Sequence, residues 1–175
     1  MAIDTSRRFK PINIAVLTVS DTRTAADDTS GDILAERIEG AGHNLAARAI
    51  IRDDAGMVAD RLDIWIGDQG IDAIITTGGT GLTGRDVTPE ALDRVKEKDI
   101  PGFGELFRWL SYHTIGTSTV QSRACAAVSR GTYIFALPGS NGAVKDGWDG
   151  ILAEQLDSRN RPCNFVELMP RLREQ

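Results

Sequence analysis

The sequence predicts an α/β fold: a doubly wound, mostly parallel sheet in a three-layer α/β/α arrangement, within a single domain. Three observations carry that expectation. Short β-branched runs at 12–19, 45–51, 71–77 and 132–140 alternate with stretches whose apolar residues recur at helical spacing. Parallel strands need crossover connections, and helices between them supply these. Three of the strands, those ending near Val19, Thr77 and Leu137, run directly into polar or glycine-rich loops, at the carboxyl edge where such sheets bind ligands.

Each element has its own signal. "INIAVLTV" reads as a buried strand, followed by the aspartate-bearing loop "SDTRTAADDTSG". "DILAERIEGAGH" sets Ile33, Leu34, Ile38 and Ala41 on one helical face and stops at glycine. "LAARAII" is a second strand, and "MVADRLDIWIGDQG" a helix with Val58, Leu62, Trp65 and Ile66 inward. "IDAIITT" opens into "GGTGLTGRD", after which Thr88 is expected as N-cap and Pro89 as the first helical residue. Phe103, Leu106, Phe107 and Leu110 repeat at i, i+3, i+4 and i+7. "TSTVQSRACAAVS" is expected as a further, small-residue helix. "TYIFALPGS" ends a fourth strand in Pro-Gly-Ser, and Val144, Trp148, Ile151 and Leu152 mark a closing helix.

Composition narrows the function. A net charge of −5 with interspersed signs argues against a broad nucleic-acid surface. No stretch is long and apolar enough to cross a bilayer. Cys125 and Cys163 are far apart and lack metal-site spacing, so they are expected as packing residues of a reduced, cytoplasmic protein. His43, after a glycine, is expected as a surface capping residue, and His113 has no second histidine nearby to complete a metal site. Phe103, Phe107 and Trp109 form an aromatic face that reads as core or as a subunit contact. Arg159 and Arg161 read as solvated or intersubunit.

Four glycines and five threonines crowd residues 76–92. The loop lacks the Gly-Lys-Ser/Thr ending of a P-loop and the Gly-x-Gly-x-x-Gly spacing of a dinucleotide site. It is either an ordinary tight loop or a cradle of backbone N–H groups and hydroxyls for an anion. Should Asp21, Asp28 and Asp86 share one sheet edge, they would place a magnesium ion, which prefers oxygen ligands and takes substrate phosphates. The alternative is that Asp27 and Asp28 are loop or N-cap carboxylates preceding the helix, the favoured reading for Asp27.

"VLTVSDT", "DDTSG", "TTGGTG" with "RDVTPEAL", "QSR" and "LPGS" occur in an order and spacing that resembles the molybdenum-cofactor biosynthesis proteins MoaB and MogA. The likeness runs from about Ile12 to Phe165. "FGELFRWLSYHTIGTSTVQSRA" and "LDSRNRPCNF" look most like the MoaB branch. The resemblance implies Mg²⁺-dependent adenylylation of molybdopterin by ATP, with release of pyrophosphate, in a homo-oligomer, trimer or hexamer. It implies catalytic roles for Asp21, Asp28 and Asp86, with Asp86 at the metal. It implies substrate contacts from Ser20, Ser30, Gly31, Thr77, Gly78, Gly79, Thr80, Gly81, Ser122, Arg123, Pro138, Gly139 and Ser140. One departure is that Lys145 is the first cation after "PGS". Two alternatives stand beside this reading: a non-catalytic pterin-binding or assembly protein, and a nucleotide pyrophosphate hydrolase similar to CinA.

Overall fold

A computed structural model describes residues 3–174. Six strands form one sheet in the order β2-β1-β3-β6-β5-β4. β1 (Asn13–Val19), β2 (Asn44–Ile51), β3 (Ala73–Thr77) and β6 (Thr132–Leu137) run parallel. β5 (Cys125–Ser129) and the two-residue β4 (Lys98–Asp99) complete an antiparallel edge.

The β1 side chains alternate between two cores. Ile14 and Val16 join the layer of α1 (Thr29–Gly40), α4 (Pro101–Ile115) and α5 (Asn141–Gly147). Ala15, Leu17 and Val19 join that of α2 (Ala55–Gly67) and α3 (Thr88–Val95). A sheet clad on both faces buries whole strands, which explains the near-continuous apolar runs. Two expected face positions are exposed, Ala41 at the C-cap of α1 and Leu106 on α4, and Ile33 and Leu110 are half-buried, whereas Leu34, Ile38, Val58, Leu62, Trp65, Ile66, Val144, Trp148, Ile151 and Leu152 are buried as expected. The last three lie in a π-helical turn, Trp148–Leu152. Short helices α6 (Ala153–Gln155) and α7 (Phe165–Leu168) follow.

Several expectations are corrected. Residues 117–129 are not a helix: a 3₁₀ turn at Gly116–Gln121 precedes β5. The alanines there serve close packing of a strand under α4, where a Cβ on Gly104 would overlap the Ala124 carbonyl oxygen. β5 and β6 form a hairpin whose two turn residues, Arg130 and Gly131, both have positive φ. The pair "RG" between apolar runs was the signal for it.

Thr88 is the first residue of α3 rather than its cap. Its hydroxyl instead donates to the Gly78 carbonyl at 2.8 Å. Asp28 is the cap of α1, which sets aside its catalytic alternative, and Asp27 is a loop carboxylate that accepts from Thr24. His43 is not at the surface; it is 5% exposed, and its Nδ1 accepts from the Ile12 N–H at 3.3 Å. Phe103 and Phe107 are core, but Trp109 is 59% exposed. Cys163 is exposed and Cys125 half-buried, so only the latter packs.

Candidate functional site

The three loops selected by the sequence do meet. Gly78 and Gly79 adopt φ of +105° and +65°, a region only glycine enters freely. A Cβ on Gly78 would overlap the Val19 carbonyl oxygen, and one on Gly139 would lie 3.2 Å from the Gly78 Cα. The first and third loops therefore press against the second from either side. The Thr77 hydroxyl sits at the junction, 3.1 Å from Ser30 Oγ and 3.3 Å from the Pro138 carbonyl.

Arginines tie this junction together. Arg23 donates to the Ser30 hydroxyl and, at 2.8 Å, to the Gly139 carbonyl. The cation that the third loop lacks in sequence thus arrives from the first loop, while Lys145 stays exposed. Ser20 Oγ accepts from the backbone N–H groups of Thr22 and Arg23, each at 3.2 Å, and so shapes that loop. Arg123 donates to the carbonyls of Gly81 and Asp86, both at 2.7 Å, and pairs with Glu90. Its fork is spent holding the glycine-rich loop, so the structure places it as a clamp on that loop.

The aspartates separate into two groups. Asp28, expected beside Asp21 and Asp86, is instead sealed beneath the first loop, 0% exposed. It accepts from the Thr18 hydroxyl at 2.7 Å, Arg48 at 2.8 Å and the Gly31 N–H at 3.1 Å. Burial works against its charge, and the bonds from Arg48, Thr18 and Gly31 outweigh it, leaving the pKa below the usual value. A carboxylate that caps a helix and neutralises a half-buried arginine has no oxygen left for a ligand. Gly31 has no room for a side chain against it, so Gly31 and the buried Ser30 act as scaffold beneath the loop.

Asp21, Asp86 and a third carboxylate, Asp53, which sequence reasoning missed, lie on the open side. Asp53 follows β2, and its Oδ1 lies 3.3 Å from where a Gly79 Cβ would stand. Its backbone N–H donates to Asp21 at 3.3 Å. Burial, then the charge of Asp21 and more weakly Asp86, raises the Asp53 pKa. Asp21 is held low by Arg85, whose Nε donates at 2.8 Å. In Asp86, hydrogen bonds from Thr83 overcome the cost of burial and lower the pKa; the Thr83 N–H and hydroxyl reach Oδ2 at 2.8 and 2.7 Å. Among the described residues no three acidic, histidine or cysteine side chains converge as a ready metal cage. Magnesium needs only one or two carboxylates when phosphates supply the rest, and the excess negative charge around Asp53 suits a cation.

Across the glycine-rich loop lies a cleft of about 290 Å³. Thr80 and Gly81 form one wall, Phe107 and Ile115 of α4 another, and Ser122, Pro138, Ser140 and Asp146 the rest. Its walls are mostly apolar with a few hydroxyls, the make-up of a small-molecule site. Gly81 belongs to both sides, because a Cβ on it would overlap the Asp86 carboxylate.

Comparison with known proteins identifies the family. Residues 15–158 match the family model described as a probable molybdopterin binding domain. The chain is 46% identical over 160 residues to molybdenum cofactor biosynthesis protein B of Escherichia coli K12, covering 91% of this chain and 94% of that protein. It is 41% identical over 146 residues to the protein of that name from Bacillus subtilis, covering 83% and 86%. A crystal structure of molybdenum cofactor biosynthesis protein B superposes with a TM-score of 0.87 at 34% identity, over 97% of this chain and 100% of that one. The tungsten cofactor synthesizing protein MoaB of Pyrococcus furiosus superposes at 0.74 with 38% identity, over 83% and 92%. CinA of Thermoplasma acidophilum, at 15% identity and TM-score 0.60, shares the fold alone. With its convergent loops, its cleft and these relatives, the chain belongs to the MoaB/MogA family of molybdenum cofactor biosynthesis proteins.

Proposed function

We propose that this chain adenylylates molybdopterin. The observation that carries the reading is the division of one site by the glycine-rich loop: an apolar cleft on one side, three carboxylates on the other. A flat pterin suits the first and a metal-bound polyphosphate the second. In the reaction, an oxygen of the pterin's phosphate attacks the α-phosphorus of ATP. The bond from that phosphorus to the bridging oxygen breaks, and pyrophosphate leaves with the electron pair. The attacking oxygen is already ionised near neutral pH, so positioning and charge neutralisation matter more than a general base.

Backbone N–H groups of Gly78 to Gly81 and the hydroxyls of Thr80, Ser122 and Ser140 are assigned to orient the phosphates. Asp86 and Asp53 would hold Mg²⁺, which supplies charge neutralisation for the polyphosphate when bound. Asp21, clasped by Arg85, positions Asp53 through its bond to that residue's N–H. The same reading sets the chain in a reducing cytoplasm, where both thiols stay free. It also makes it a homo-oligomer, trimer or hexamer, joined through the exposed Trp109 and Tyr112 of α4 and Val120 of the 3₁₀ turn that follows.

A second reading, pterin binding without turnover, draws on the fact that Arg85 and Thr83 already satisfy Asp21 and Asp86. Pyrophosphate release decides between them. Release requiring both molybdopterin and ATP supports the first reading, binding without release the second, and release from a nucleotide alone a hydrolase. In the first case Asp86→Asn should lower turnover about a hundredfold or more while pterin affinity changes little; unchanged turnover would make Asp86 a loop residue only.

A further inference from the structure

Asp146 is the one charged side chain lining the cleft among the described residues. It sits on α5, facing Phe107 and Ile115 of α4 across the apolar space. No hydrogen bond or ion pair to its carboxylate occurs among the described residues. Its neighbour Asp149 is fully engaged, taking two bonds from Arg37 at 2.8 Å each. The other polar groups of the cleft are hydroxyls and one amide, and several are occupied: the Thr119 hydroxyl donates to the Arg108 carbonyl at 3.1 Å, and Ser140 Oγ accepts from the Ala143 N–H at 3.2 Å.

We propose that Asp146 determines which ring enters this cleft, by accepting two hydrogen bonds from the 2-amino group and N3–H of a pterin. This rests on the reading of the cleft as the pterin side of the site. An ionised carboxylate offers two acceptors and no donor. The 2-amino-4-oxo edge of a pterin presents two adjacent donors and matches it. The pairing edge of adenine presents a donor beside an acceptor, and a lumazine, with oxygen in place of the amino group, turns an acceptor toward the carboxylate. Adenine is thereby assigned to the opposite, acidic side of the glycine-rich loop. Burial, with a further push from Asp149, raises the Asp146 pKa, so the charge is poorly served until a ligand donates to it.

The test is equilibrium binding by fluorescence, without ATP, of two probes carrying the same phosphate-bearing side chain at C6: a pterin and the corresponding lumazine. The wild-type protein should prefer the pterin at least tenfold, because a carboxylate that the ligand covers and leaves facing the wrong partner is heavily penalised. Asp146→Asn offers one acceptor and one donor, the complement of the lumazine edge, and should bring the two affinities together or reverse their order. Asp146→Leu should lose the preference while still binding, and thermal melts establish that both variants fold. Wild-type selectivity retained by Asp146→Asn overturns the inference while leaving the pterin site in place. Wild-type protein that binds neither probe overturns the reading of the cleft itself, and with it the inference.

Discussion

Replacing Asp28 by alanine separates a structural carboxylate from a catalytic one. The side chain is wholly buried, accepts hydrogen bonds from Thr18, Gly31 and Arg48, and has Arg23 as a further ion-pair partner at 3.5 Å. Stripping one member from a buried ion pair costs roughly 3–5 kcal/mol, and losing an N-cap about 0.5–2 kcal/mol. These overlap, and Arg48 is 28% exposed and also bonded to Asp32, so water and Asp32 recover part of the loss. The expected net cost is about 3 kcal/mol, which for a chain of this length lowers the melting temperature by roughly 6–12 °C. Urea titration and thermal melts measure it. The pH dependence has a definite sign. The folded pKa of Asp28 is lowered, so its stabilisation is complete above the unfolded value near 3.9 and fades as pH falls through the folded one. The gap between wild type and variant should therefore close in acid below about pH 4. A variant as stable as wild type but without turnover would refute this assignment and return Asp28 to the reacting groups.

Gly78→Ala meets both a left-handed backbone and the Val19 carbonyl; it should cost about 2 kcal/mol or more, read in thermal melts against Gly40→Ala, where a Cβ meets nothing. His43 has its pKa lowered by burial, with Asp157 partly opposing. Its contribution is present above the unfolded value near 6.5 and is lost as pH falls through the folded value. The urea midpoint should accordingly drop between pH 7.5 and 5.5, and by less in His43→Gln. Trp109→Glu, on the exposed face of α4, should shift sedimentation toward the monomer, while an unchanged profile would remove that face from the assembly.

Much of this architecture was legible because period-2 and period-3.6 patterns mark which faces are buried. Val58, Leu62, Trp65 and Ile66 required nothing more. The antiparallel edge was hidden because "ACAAVS" is as compatible with a close-packed helix as with a strand; only the Arg130-Gly131 turn that follows distinguishes them. The glycine-rich loop could be found from glycine crowding, but the roles of charged side chains could not. Asp28 and Asp53 are both loop aspartates beside a helix start. What separates them is the placement of Arg48 and Thr18, brought in from β2 and β1. Asp146 likewise reads as any polar position of an amphipathic helix until α4 is laid opposite it.

Arg23 spans from the first loop to the Gly139 carbonyl, and Thr88 braces Gly78 from below. Loops so cross-tied lose their conformational freedom when the chain folds, not when a small molecule arrives. Encounter with ligand then resembles docking into a rigid mould, and the association rate should report diffusion and desolvation rather than a slow closing motion.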